Sequence, residues 1–140
     1  MAEIDPKADE FLKKRARYAH VTTLRKDGTP ITIPVWYDWD GTTVRFFSAS
    51  NAPKVKRLRR NPWVSVLISN DLDEYEKWVC FEGKATFADE GGQSLALRLA
   101  PHYFDLSDPA RQKLKAYWES GKESDFTLVE LVPQRITSGG

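Results

Sequence analysis

The chain has little of what most metal and nucleophile chemistry needs. Its 140 residues include one cysteine, Cys80, and two histidines, His20 and His102. A single cysteine excludes an internal disulfide and suits a reducing compartment. No Cys/His or carboxylate cluster has ligand spacing, so no metal site is expected. Neither histidine lies in a nucleophile motif, and no catalytic side chain is assigned. An excess of charge of one sign is also missing: 21 Lys and Arg face 20 Asp and Glu, a net charge of +1, which argues against a nucleic-acid partner. There is no apolar run long enough to span a bilayer and none of signal-peptide type at the N-terminus, so a soluble cytoplasmic protein is expected. No Pro/Gly/Ser-rich linker, repeat or low-complexity stretch divides the chain, and residues 1–140 read as one domain.

What is present is a local concentration of positive charge. From Arg45 to Pro62 the sequence is RFFSASNAPKVKRLRRNP. A strand ends in a turn carrying Ser48 and Ser50, and Pro53 then suits the first position of a helix, where its missing N–H costs little. Lys54, Lys56, Arg57, Arg59 and Arg60 follow within seven positions, while Val55 and Leu58 keep an apolar face. Either these charges are simply solvated, as charge runs usually are, or they gather an anion at the helix start. Lys54 and Arg57, three apart, fit one phosphate-bearing ligand better than a polymer.

Hydrophobic periodicity supplies the remaining elements. Asp5-Pro6 opens a helix expected to reach about Tyr18. Strands are expected at Val21–Arg25, Ile31–Tyr37, Thr43–Phe47, Trp63–Ser69, Lys77–Ala88 and Phe126–Val132, with Asp27-Gly28 and Asp40-Gly41 as turns. Gly83 marks a bulge or a close approach. Gln93 to about Ala100 and Asp108 to about Glu119 read as helices. The second strand holds Pro30 and Pro34, which cannot donate to a ladder. It is therefore an edge strand, either guarded by its prolines or open to a flat ligand. Six strands joined by tight turns predict a mainly β protein with flanking helices, a six-stranded antiparallel barrel.

These segments, in this order, resemble the pyridoxamine 5′-phosphate oxidase-like split-barrel family, especially its small flavin- and deazaflavin-dependent members. The resemblance is carried by the run Thr22 to Pro30 (TTLRKDGTP), by Pro34-Val35-Trp36-Tyr37 and by Asp40-Gly41. It continues through Phe46-Phe47-Ser48 with Lys54, Leu58 to Pro62, Phe81-Glu82-Gly83 and Val129 to Pro133. It implies a split β-barrel homodimer with a cofactor, FMN or coenzyme F420, in a groove between subunits. By position, Ser48 and Lys54 would bind the cofactor phosphate, with Ser50, Arg57 and Arg60 beside them. Thr32, Ile33, Pro34, Val35 and Trp36 would line the ring system, and Trp78 would sit where the partner subunit often contacts the cofactor.

The expected function is oxidoreduction, hydride passing to or from a small organic substrate, the chemistry being the cofactor's own. F420 is slightly preferred, because its anionic tail suits the surplus arginines. The alternative is a non-catalytic flavin- or haem-type binding or carrier module. Two departures stand out. Pro53 occupies a position that is often basic in the family, leaving Lys56 or Arg57 to compensate. The tail from Gln134 to Gly140 lacks the arginine-rich ending of true pyridoxamine phosphate oxidases, so that activity is not expected.

Overall fold

The computed structural model describes residues 2–140. In chain order these form α1 (Pro6–Lys14), β1 (Ala19–Leu24), β2 (Pro30–Val35), β3 (Asp38–Trp39), β4 (Val44–Ala49), α2 (Pro53–Arg60), β5 (Trp63–Ser69) and β6 (Trp78–Lys84). There follow β7 (Thr86–Ala88), α3 (Gly92–Tyr103), α4 (Pro109–Ser120), a single 3-10 turn (Glu123–Asp125), β8 (Phe126–Leu131) and β9 (Arg135–Gly139). The strands pair antiparallel in two sheets, β2-β1-β5-β6-β9 and β3-β4-β8-β7.

Alternation along the strands builds the core between the sheets. Val21, Val66, Ile68, Val79 and Phe81 come from the first sheet, and Val44, Phe46, Val129 and Leu131 from the second, all at most 1% exposed. Helix α1 adds Ala8 and Leu12 to the same cluster.

The mainly β architecture with flanking helices is as expected, and β2 is an edge strand. The six-stranded barrel is not: among the described residues the ladders give nine strands in two sheets and no closed barrel. Two expected strand segments are interrupted. The Lys77–Ala88 segment breaks at Ala85, whose N–H makes the last bond on the β5 side, to the Pro62 carbonyl (2.9 Å), and Thr86–Ala88 pairs with β8 instead. The Ile31–Tyr37 segment likewise stops at Val35, and Asp38–Trp39 joins β4. Residues 135–139 add an unexpected strand on β6. Gly83 is a close approach: a Cβ there would lie 3.0 Å from Leu131 Cδ1 and 3.2 Å from the Gln134 nitrogen.

Helix α1 stops at Lys14, short of Tyr18, because Arg17 claims an acceptor of its last turn. The Arg17 guanidinium donates to the Phe11 carbonyl (2.6 Å) and lies 3.8 Å over the Phe11 ring. Its Nε donates to Glu74 at 2.8 Å. A long basic side chain that reads as solvent-facing helix is thus buried as an ion pair.

Candidate functional site

Strand β4 delivers its last inward residue, Ser48, to the edge of the core, where it is 3% exposed. A tight turn follows, closed by the Ala52 N–H on the Ala49 carbonyl (3.0 Å), and Pro53 starts α2 without needing a backbone acceptor. Val55 and Leu58 seat the helix on the core. That stripe turns Lys54 sideways into a cavity of about 780 Å³ between β4, the end of α4 and the start of β8. Ser48, Ser50, Asn51 and Lys54 form one side, and Phe47, Tyr117, Trp118 and Phe126 form an aromatic side, with Ser124 and Asp125 between.

The electrostatics centre on Lys54. Its ammonium is partly buried; that burial, with Arg57 adding like charge, pushes its pKa below the ordinary lysine value. Among the described residues no carboxylate forms an ion pair with it, although Asp125 lines the same cavity. An ammonium drawn out of water without a counter-ion is costly, and an anion placed beside it would offset that cost. The Ser48 hydroxyl donates only to the neighbouring Ala49 carbonyl (3.2 Å). Ser50 lines the cavity too, but its hydroxyl is engaged: it donates to the Ser124 carbonyl (2.8 Å) and accepts from Thr127 Oγ1 (2.9 Å).

The other residues expected at the site fall into separate places. Arg57 Nε donates to the buried Thr23 hydroxyl (2.7 Å) and Arg60 to the Leu24 carbonyl (3.1 Å), so both tie α2 to β1 and neither lines the cavity. On β2, Thr32 meets Thr22 Oγ1 at 2.8 Å and Pro34 is exposed, while Ile33 and Val35 point the other way, Val35 into the core. Trp36 does not line the cavity but packs behind two rings that do. It stacks on Tyr103 at 4.7 Å and meets Trp118 and Phe47 edge-on at 5.7 and 5.8 Å. Trp78 lies on β6 over Gly139, where a Cβ would be 2.7 Å from its ring, and does not line the cavity.

Sequence reasoning missed the aromatic side. Tyr117 and Trp118 fall in the stretch read only as a helix from Asp108 to about Glu119, and nothing local places that helix opposite Lys54. It also missed a convergence of carboxylates. Asp71, Asp73 and Glu74 bring oxygens within 4.8 Å of one another. Arg15 bridges Asp71 and Asp73 at 3.2 Å each and Arg17 holds Glu74, so the cluster is an ion-pair network. Cys80 is half-buried with its thiol pKa pushed up by burial, as befits a packing residue.

Solved structures share the fold. An F420 reductase is 24% identical over 91% of this chain and 94% of its own, with a TM-score of 0.72. A pyridoxamine 5′-phosphate oxidase-related, FMN binding protein of Nostoc punctiforme is 17% identical over 96% of this chain and 84% of its own, with a TM-score of 0.64. A heme binding protein of Mycobacterium smegmatis is 24% identical, covering 98% of this chain but 55% of its own, with a TM-score of 0.64. Identities this low establish the fold alone. No curated protein matches the chain in sequence. The family model described as Pyridoxamine 5′-phosphate oxidase matches residues 4–138, nearly the whole chain, and the protein belongs to the pyridoxamine 5′-phosphate oxidase-like family.

Proposed function

We propose that this protein binds a flavin-type cofactor by its phosphate and uses it as an oxidoreductase on a small organic substrate. The observation that carries the reading is the Lys54 ammonium, partly buried, without a carboxylate partner, facing a cavity with the buried Ser48 hydroxyl on one side and aromatic rings on the other. The donor set fits the group: a phosphate restores the charge balance that burial disturbs, and the aromatic side suits a flat ring. When bound, such a cofactor supplies hydride exchange.

The chain's own residues hold and orient. Lys54 and Ser48 take the phosphate, Asn51 adds an amide at the turn, and Phe47 and Trp118 keep water from the ring side. Arg57 and Arg60 fix α2 against β1, so that Lys54 is presented from a rigid helix. F420 is the slightly preferred cofactor and FMN the other. Support comes from the F420 reductase and the Nostoc FMN binding protein of like fold, and from the exposed Lys56 and Arg59, which suit an anionic tail. We further propose a homodimer with the cofactor at the subunit interface.

Lys54→Ala is expected to weaken FMN and F420 binding by about 1.5–3 kcal/mol, the worth of a charge-assisted hydrogen bond, which is about ten- to a hundredfold in Kd. Titration calorimetry on wild type and variant measures this, and equal affinities would refute the phosphate assignment. Bound cofactor that no reductant or substrate can cycle would make the protein a carrier rather than an enzyme.

A further inference from the structure

We infer that α4 is the ring-recognising wall of this cavity, with Tyr117 offering the stacking face and Gln93 acting as the positioning residue. The inference rests on the phosphate reading above and extends it to the other end of the ligand. A cavity of about 780 Å³ is far larger than an inorganic anion needs and lies in the range of sites that enclose whole organic ligands. Its wall away from Lys54 is aromatic, but most of those rings are already committed. Trp118 meets Trp36 and Phe47 edge-on at 5.7 Å each and Phe126 at 6.5 Å. Tyr117 is different: it lines the cavity, it is 74% exposed, and among the described residues its ring meets no other. A tyrosine ring held open beside a fixed indole offers a face to a planar ligand at small entropic cost, having only two side-chain torsions.

The placement of α4 supports the same reading. None of its residues is fully buried, so hydrophobic seating alone does not fix it. Its C-terminal end is instead clamped by one amide. Gln93 Nε2, on α3, donates to the Trp118 carbonyl at 2.6 Å and to the Gly121 carbonyl at 2.9 Å. The Trp118 carbonyl also accepts from the Gly121 N–H at 3.3 Å, so the Gln93 amide reinforces the capped end of the helix and ties it to α3. Gln93 is rigid in turn, because the next residue back, Gly92, brings α3 so close to β8 that a Cβ would lie 3.0 Å from Phe126 Cβ. The sequence β8, α3, Gln93, α4 thus sets the position of Tyr117 relative to Lys54.

The test uses FMN and, in parallel, F420 as probes, with inorganic phosphate as competitor, on the full chain. Tyr117→Ala should weaken cofactor binding about tenfold and diminish the quenching of FMN fluorescence on binding. The inhibition constant of inorganic phosphate should not move, and Tyr117→Phe should restore both cofactor signals. Gln93→Leu should weaken the cofactor and leave phosphate alone, with melting temperature confirming a folded variant. Unchanged cofactor affinity in Tyr117→Ala, while Lys54→Ala abolishes phosphate competition, overturns the ring wall and leaves the phosphate site standing. Failure of the wild-type protein to bind either cofactor or phosphate overturns both.

Discussion

Arg17 and Lys54 are both cations drawn out of water, and their surroundings give them opposite uses. Arg17 has no exposed side-chain surface and is answered by Glu74, whose carboxyl its hydrogen bond pulls down to about 2. A carboxyl held below its ordinary value of 4.5 contributes stability that is fully present above that value and is lost as pH falls toward 2. Glu74→Gln should therefore destabilise the protein by about 3–5 kcal/mol near neutrality, since it leaves a buried guanidinium without its counter-charge. Denaturant unfolding measures the loss, and the same series in acid should show a shallower decline for the variant than for wild type. Lys54 forms no ion pair among the described residues, and on that ground we propose an external anion for it. That Ser48 and Lys54 lie close together was legible in the sequence, because a hydroxyl-bearing turn, a proline and a lysine follow one another locally. The roles of Arg57 and Arg60 were not, because which way a long side chain turns depends on β1, a strand some 35 residues earlier.

At the scale of elements, close approach decides more than propensity. Helix α3 rests on β8 at Gly92, where an added Cβ would meet the Leu128 nitrogen at 3.1 Å as well as Phe126. Backbone cannot step aside, so Gly92→Ala should cost about 1–3 kcal/mol by overpacking and lower the melting temperature by several degrees. A melting curve unchanged by the substitution would show that α3 has room to move. Helix starts were readable at Asp5-Pro6, Ala52-Pro53 and Asp108-Pro109, and Asp108 does cap α4 by accepting from the Ala110 N–H (3.1 Å). The Asp5 side chain makes no such bond, although it occupies the corresponding position of α1. Strand β9 was not readable: Arg135 to Gly139 has one apolar residue, Ile136, and its pairing is dictated by the open edge of β6. The break at Ala85 was equally silent, since the apolar pattern continues through it while the hydrogen-bond partner changes from one sheet to the other.

For the whole molecule, the fold class and the single core were legible, because alternation within each strand survives whichever sheet the strand joins. The partition into sheets was not, because it depends on where two continuous segments bend. The proposed dimer belongs to this scale as well. Sedimentation equilibrium at micromolar concentration is expected to give twice the chain mass, and a monomer there would count against a cofactor groove shared between copies. One feature of the monomer serves cohesion without any partner. The Arg17–Glu74 clasp joins residues 57 positions apart and gathers α1 and the 70–77 loop at one point. It closes that span as a covalent cross-link would in a protein richer in cysteine. A thiol reductant leaves such a clasp intact; acid is what opens it.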